Sequence, residues 1–295
     1  MNHLELILSM IFEIYQSVEP DLPKRTGPEP VIPDIVIIQL IILKHLLGFR
    51  HESSFLRFIQ NLKLKSFFPR LAERSRFNRR TKLLSPLIER IQFELLKRLG
   101  VDNLKVRIID TTPFPIVKLV RKNQSKIVKK NDLKVGYCSA QKYYYTGLKL
   151  SLAVNLEGVP TYFEFHPANR HDLKVLEKEA SNLRGLVLVG DKAYLSKEAK
   201  KDLKQNLGIA LITPYKKNQK SKKLTKKEKQ LLKHRKLVET VINQLKDQFS
   251  LERLSAKSLL GFKERARQII LTYTFDSYFN KLTNRNILSI KSILT

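Results

Sequence analysis

Cysteine is nearly missing from this chain, with Cys138 the single one in 295 residues. No internal disulfide can form, and no Cys/His cluster offers a structural zinc site, so a reducing cytoplasm is the expected compartment. Long apolar runs are missing too. The most apolar stretch, Ile35 to Leu47, is interrupted by Gln39, Lys44 and His45 and is too short to span a bilayer; it reads as a buried helix. Met1 to Tyr15 is apolar but carries Glu5 and Glu13, with no basic leader and no small-residue cleavage site, so neither export nor a membrane partner is expected. Acidic residues are scarce: 27 Asp and Glu stand against 56 Lys and Arg, a formal charge of +29. That exceeds what solubility needs and points to a nucleic-acid backbone ahead of an anionic membrane. An apolar fraction of 42% still supports a real core, in one large domain or two ordinary ones.

Residues 1–98 read as helical, with apolar residues at i, i+3, i+4 spacing in Leu4 to Val18, Asp34 to Leu47, Ser53 to Leu62 and Asn78 to Leu99. The closely set prolines of Pro20 to Pro30 exclude a continuous helix there, and Gly48-Phe49-Arg50 makes a tighter turn. The pair around that turn fits a helix-turn-helix, with Arg70, Arg74, Arg76, Arg79 and Arg80 close by; a plain helical scaffold is the competing reading.

From Lys105 the pattern changes. Strands are expected at Val106 to Asp110, Tyr144 to Asn155, Val159 to His166, Leu186 to Asp191 and Ile209 to Thr213, with a hairpin at Asn155 to Gly158. Helices at Asp172 to Leu183 and Ser196 to Asn206 alternate with the later strands, which implies parallel crossovers. This order is that of an α/β, ribonuclease H-like core: a mixed sheet flanked by helices, here over 104–295 behind an N-terminal all-helical domain. A basic insertion near 214–233 and a C-terminal helical tail complete the expected layout. Two basic runs, Lys118 to Lys134 and Lys216 to Lys233, carry seven and nine basic residues against one acid each; both are read as loops suited to phosphate contact.

The chemistry rests on three acids. Two β-branched runs end on Asp110 and Asp191, and the helical spacing after His234 presents Glu239. Oxygen ligands on rigid, scattered elements suit Mg²⁺ or Mn²⁺, and two such ions clamp the attacking and leaving oxygens of a phosphodiester. An Asp at a strand end also serves as a cap, and Asp191 precedes the helix near Ser196, so capping stands beside the metal reading there. Asp172 is read as the cap of its helix, in preference to a place in a loop close to the catalytic face. His166 and His234 are read as structural or surface histidines. Tyr143, Tyr144 and Tyr145 either stack on an unpaired base or, by strand alternation, partly pack inward.

The segments I-I-D-T-T-P-F-P-I, Y-T-G-L-K-L-S-L-A-V-N-L-E-G-V-P, H-P-A-N-R-H-D-L-K-V-L, V-G-D-K-A-Y-L-S and H-R-K-L-V-E-T-V-I-N-Q-L-K-D-Q-F-S-L-E-R carry a resemblance. The chain resembles the DDE transposases of bacterial insertion sequences, most closely the nine-eighty-two family, over roughly Arg74 to Phe275. The resemblance implies Asp110, Asp191 and Glu239 as catalytic, metal-holding acids with two Mg²⁺ or Mn²⁺ ions. It implies Arg235 and Lys246 as the arginine and lysine around the glutamate; the four-residue spacing puts Arg235 on one helix face with Glu239, and Lys246 follows after almost two further turns. The tyrosine that often leads that signature would fall at Leu232, and Asp110-Thr111-Thr112 stands where Asp-Ser-Phe is usual. Lys192, Lys216, Lys217, Arg79 and Arg80 join Arg235 and Lys246 as expected phosphate contacts. Double-stranded DNA, as transposon ends and target, is the implied partner, bound by a homodimer or larger synaptic complex. A DNA-binding repressor without catalysis and a nuclease without strand transfer are the rival readings; the intact acid triplet argues against the first.

Overall fold

A computed structural model of the chain describes residues 3–21, 27–61, 63–101, 105–139, 141–215 and 224–291. Two compact units emerge: Met1–Gly100 together with Leu245–Thr295, and Val101–Gln244. The chain after Lys105 therefore does not form one domain, as its strand-rich start suggested. Its last segment returns to the N-terminal helices. Among the described residues no helix is long and apolar enough to cross a membrane.

The first unit holds α1 (His3–Val18), α2 (Asp34–Leu46), α3 (Glu52–Asn61), α4 (Arg74–Leu83) and α5 (Ser85–Arg98). Where one helix was expected over 78–99 there are two, because Pro86 offers no N–H to the turn before it and opens α5 as a first-turn proline. The long helix α11 (Leu259–Leu282) packs on α2 and α5, and its Leu271, Phe275 and Phe279 fill the same core as Ile11, Ile38, Ile88 and Leu95. Each such fully buried side chain contributes about 1.5–3 kcal/mol. Some polar residues buried on α11 find partners in the helical unit: Gln92 donates to Thr274 at 2.8 Å, and Thr272 donates to the carbonyl of Gln268 at 2.8 Å.

The second unit is a six-stranded mixed sheet: β1 (Val106–Val117), β2 (Lys134–Cys138), β3 (Tyr143–Val154), β4 (Pro160–Pro167), β5 (Val187–Val189) and β6 (Ala210–Ile212). The order is β2-β3-β1-β5-β6, with β4 also on β3. β1 pairs antiparallel with β3 and parallel with β5, and β5 pairs parallel with β6. A mixed sheet with α7 (Asp172–Glu179) and α8 (Lys197–Leu207) laid against it is compatible with the ribonuclease H-like plan. Leu176 and Leu203 of these helices pack on Ile109, Ala153 and Leu188 of the sheet.

β1 runs well past the expected end at Asp110, through Pro113 and Pro115. Only Val106, Arg107 and Ile108 pair with β5, so beyond them β1 has one open edge, where a residue without an N–H is tolerated. The first basic run is not a loop: after a 3-10 turn it forms α6 (Lys126–Asn131), capped by the Ser125 hydroxyl and ended by Asp132 in the left-handed region. Within the second run, α9 (Lys226–Lys233) forms behind a capping box of Thr225 and Glu228. Lys216 and Lys217 lie outside the described residues. α10 (Lys236–Asp247) follows α9 after the two-residue turn His234–Arg235.

Candidate active site

Side chains alternate across a strand, so Asp110 faces away from Ile109, which is sealed under α7 and α8. Asp191 follows β5 by two residues and shares that parity through the parallel pairing of Ile108 with Val189. Glu239 lies exposed in the first turn of α10.

Asp110 senses the other two acids. Burial pushes the Asp110 carboxyl up to about 7, the negative charges of Asp191, Asp172 and Glu239 push in the same direction, and only the Thr111 N–H, 2.8 Å from Oδ1, opposes them. A carboxylate in that setting gains from a cation, and the donors are all carboxylate oxygens, the set that Mg²⁺ or Mn²⁺ takes. Among the described residues no three His, Cys, Asp or Glu side chains are drawn together into a closed ligand set. The donor chemistry fits a divalent ion; the side chains are not gathered around one.

Asp191 also caps. Its Oδ1 accepts from the Ala193 N–H at 2.6 Å and opens the 3-10 turn Lys192–Tyr194, while Ser196 caps α8. One oxygen of Asp191 is therefore oriented by its own backbone. Gly190 makes this turn possible: a Cβ there would lie 2.8 Å from the Tyr194 ring. Tyr194 is fully buried, its hydroxyl has no partner among the described residues, and burial beside Asp110 holds its pKa well above the usual tyrosine range.

Asp172 differs from its expected role. The ring of His171 takes the cap, accepting from the Leu173 N–H at 3.3 Å. That frees Asp172 Oδ1 to accept from the Thr111 hydroxyl and from Lys149 Nζ, both at 2.7 Å. Lys149 also donates to the carbonyl of Arg170 at 2.7 Å. Asp172, Lys149 and Tyr194 thus belong to the acid neighbourhood; the sequence favoured a cap for Asp172 over a place near the catalytic face, and did not single out Lys149 or Tyr194. The only signal was an Asp directly after a His, and capping statistics favour the Asp.

The expected cations divide. Lys192 and Arg79 are exposed. Arg80 is committed inside the helical unit, to Asp34 and the carbonyl of Ile32. Arg235 sits in the turn before α10 and not on a helix face with Glu239, and Lys246 is paired with Glu252 at 2.7 Å. His166 is structural: its Nε2 is 3.1 Å from Glu179, whose other oxygen accepts from Ser151 at 2.6 Å. His234 is the exposed C-cap residue of α9. Of the three tyrosines, Tyr145 is buried, whereas Tyr144 is exposed with its ring 4.8 Å from that of Tyr137.

Residues 101–259 match the family described as Transposase DDE domain, a span of more than half the chain. No curated protein and no solved structure matches the chain.

Proposed function

Because the chain belongs to the Transposase DDE domain family, we propose that it is a DNA transposase of the nine-eighty-two type, which binds the terminal inverted repeats of its insertion sequence and catalyses strand cleavage and strand transfer. The catalytic residues in this reading are Asp110, Asp191 and Glu239. The observation that carries it is the family match over residues 101–259, within which Asp110 and Asp191 each lie two residues beyond the parallel strand pair Ile108 and Val189.

Asp110, Asp191 and Glu239 would hold divalent metal ions, two in number, which when bound supply the positive charge that activates the attacking oxygen and steadies the leaving one. The chain's own part is positioning. The Thr111 and Ala193 N–H groups each fix one oxygen of an aspartate. Lys149 holds Asp172 and so limits the negative charge around Asp110. Exposed Lys192, next to Asp191, and Arg235, before α10, are the cations that would take the phosphates of the cut strand. Phosphoryl transfer asks little more of a protein than this placement and charge. Two DNA ends are joined to one target, so a homodimer or larger assembly is the working form.

The test is cleavage and joining of labelled end duplexes by Asp110→Asn, Asp191→Asn and Glu239→Gln. Each change keeps shape but removes a negative donor, so both steps drop together by at least about 100-fold while DNA binding persists. Mn²⁺ replaces Mg²⁺ with activity retained, and Ca²⁺ supports binding with little turnover. Substantial joining by Glu239→Gln in Mg²⁺ removes the third acid from this reading. Cleavage without joining, given both ends and a target, favours the nuclease alternative.

A further inference from the structure

The helical unit contains a polar cavity of about 480 Å³, lined by residues from three separate stretches of chain, 50–53, 74–82 and 255–265. Five cations line it, Arg50, Arg74, Lys82, Lys257 and Arg265, against one carboxylate, Glu52. That carboxylate is already spoken for. Its oxygens accept from Arg265 at 2.8 Å and from Asn78 at 2.8 and 3.1 Å, which fixes Arg265 at the wall. Arg74, Lys82 and Lys257 make no hydrogen bond or ion pair among the described residues. Buried Lys44 lies close enough behind to feel the charges of Glu52 and Arg265.

Backbone dipoles add to the side chains. The first turns of α3 and α4 line the cavity, and α11 begins beside it with Gly261 in the wall. The Ser258 hydroxyl takes the Gly261 N–H of α11 at 3.1 Å, but the cap position of α4, Glu73, makes no side-chain hydrogen bond. First-turn N–H groups of α4 are therefore left for an outside acceptor, beside the unpaired guanidinium of Arg74. No Phe, Tyr or Trp lines the cavity and His51 is its one ring, so it offers phosphate contacts and no platform for a run of stacked bases.

We propose that this cavity is a phosphate site that clamps the DNA backbone without reading sequence, separate from the acid cluster and built jointly by the N-terminal helices and the start of α11. The chemistry, a phosphate ester among cations and open N–H groups, comes from the cavity; DNA as its source rests on the transposase reading.

The experiment uses the full chain and the double variant Arg74→Ala, Lys257→Ala, with the single Lys257→Gln as a milder second variant. Thermal unfolding first shows which variants are folded. Anisotropy with a labelled random-sequence duplex is then followed over a salt series. Each phosphate contact contributes about 0.9 to the slope of log affinity against log salt, so the double variant is expected to flatten it by about 2 and Lys257→Gln by about 1. The affinity loss is equal for repeat and random duplex. An unchanged slope in a folded variant overturns the proposal. A second arm titrates inorganic phosphate and pyrophosphate: binding that the variant loses, with the DNA slope unchanged, assigns the cavity to a free phosphate compound and overturns DNA as its source. Cleavage by the unaltered protein is scored separately. A flattened slope without any cleavage leaves the clamp standing and removes the transposase reading, and cleavage with an unchanged slope does the reverse.

Discussion

The Thr111 hydroxyl donates to Asp172 across 2.7 Å, tying a carboxylate at the start of α7 to the residue next to Asp110. Lys149 approaches the same oxygen from β3 at the same distance, so one ammonium offsets the charge that Asp172 would otherwise impose on its neighbour. Lys149→Met is expected to leave Asp172 uncompensated and to move the Asp110 carboxyl further up. The acid limb of the cleavage profile then shifts to higher pH, whereas a purely structural role would lower the rate equally at every pH. A pH series on the cleavage rate separates the two.

Asp110 also marks the protein's stability. Its carboxyl, at about 7 in the folded protein, ordinarily titrates near 3.8. Between those values the folded form holds the proton more tightly than the unfolded form, so the stability contributed by protonated Asp110 is complete below pH 3.8 and is lost as pH rises through about 7. Asp110→Asn removes that loss. Its Tm advantage over the unaltered protein should grow from about pH 4 to 7 and level off above. Asp276, raised to about 6 by burial, titrates in both proteins and cancels. Mg²⁺ at pH 8 should raise the Tm of the unaltered protein and not that of the variant; equal effects on both would place the ion elsewhere.

The buried pair of His166 and Glu179 links β4 to the end of α7. Glu179→Ala leaves His166 and the Ser151 hydroxyl without their partner, and a broken buried pair costs about 3–5 kcal/mol. Urea unfolding measures it. A loss below about 1 kcal/mol would mean that water replaces the carboxylate there.

Gly190 stands between β5 and Asp191 with its side-chain space already taken by Tyr194. The ring is walled in and cannot move aside, so Gly190→Ala is expected to cost about 1–3 kcal/mol and to push Asp191 out of place. Cleavage should fall more than stability does, read by activity on protein shown to be folded by circular dichroism. Full activity in a folded Gly190→Ala protein would detach this packing from the site.

The strands that lead to Asp110 and Asp191 were legible because each is a short β-branched run with a polar residue at its tip, and the β3–β4 hairpin because Asn155 to Gly158 has turn chemistry. Other features left no local trace. Asp172 sits at a position where a cap is the commonest use of an Asp, and only tertiary contact with Thr111 and Lys149 shows otherwise. The continuation of β1 past Asp110 through Pro113 and Pro115 was not legible, because tolerance for proline depends on which strand edge is open, a fact of sheet order. Membership of α11 in the helical unit was hidden as well: its apolar and polar residues are buried on every side, so it shows no face that would name its neighbours.

That membership has a consequence during synthesis. Leu271, Phe275 and Phe279 complete a core whose other residues lie in the first hundred positions. The N-terminal helices leave the ribosome first, yet their core stays open until α11 has been made. A product broken off before Leu259 lacks both that core strut and the Gly261 and Arg265 wall of the cavity. Incomplete chains would then carry the sheet without a closed helical unit, and only finished molecules would have both.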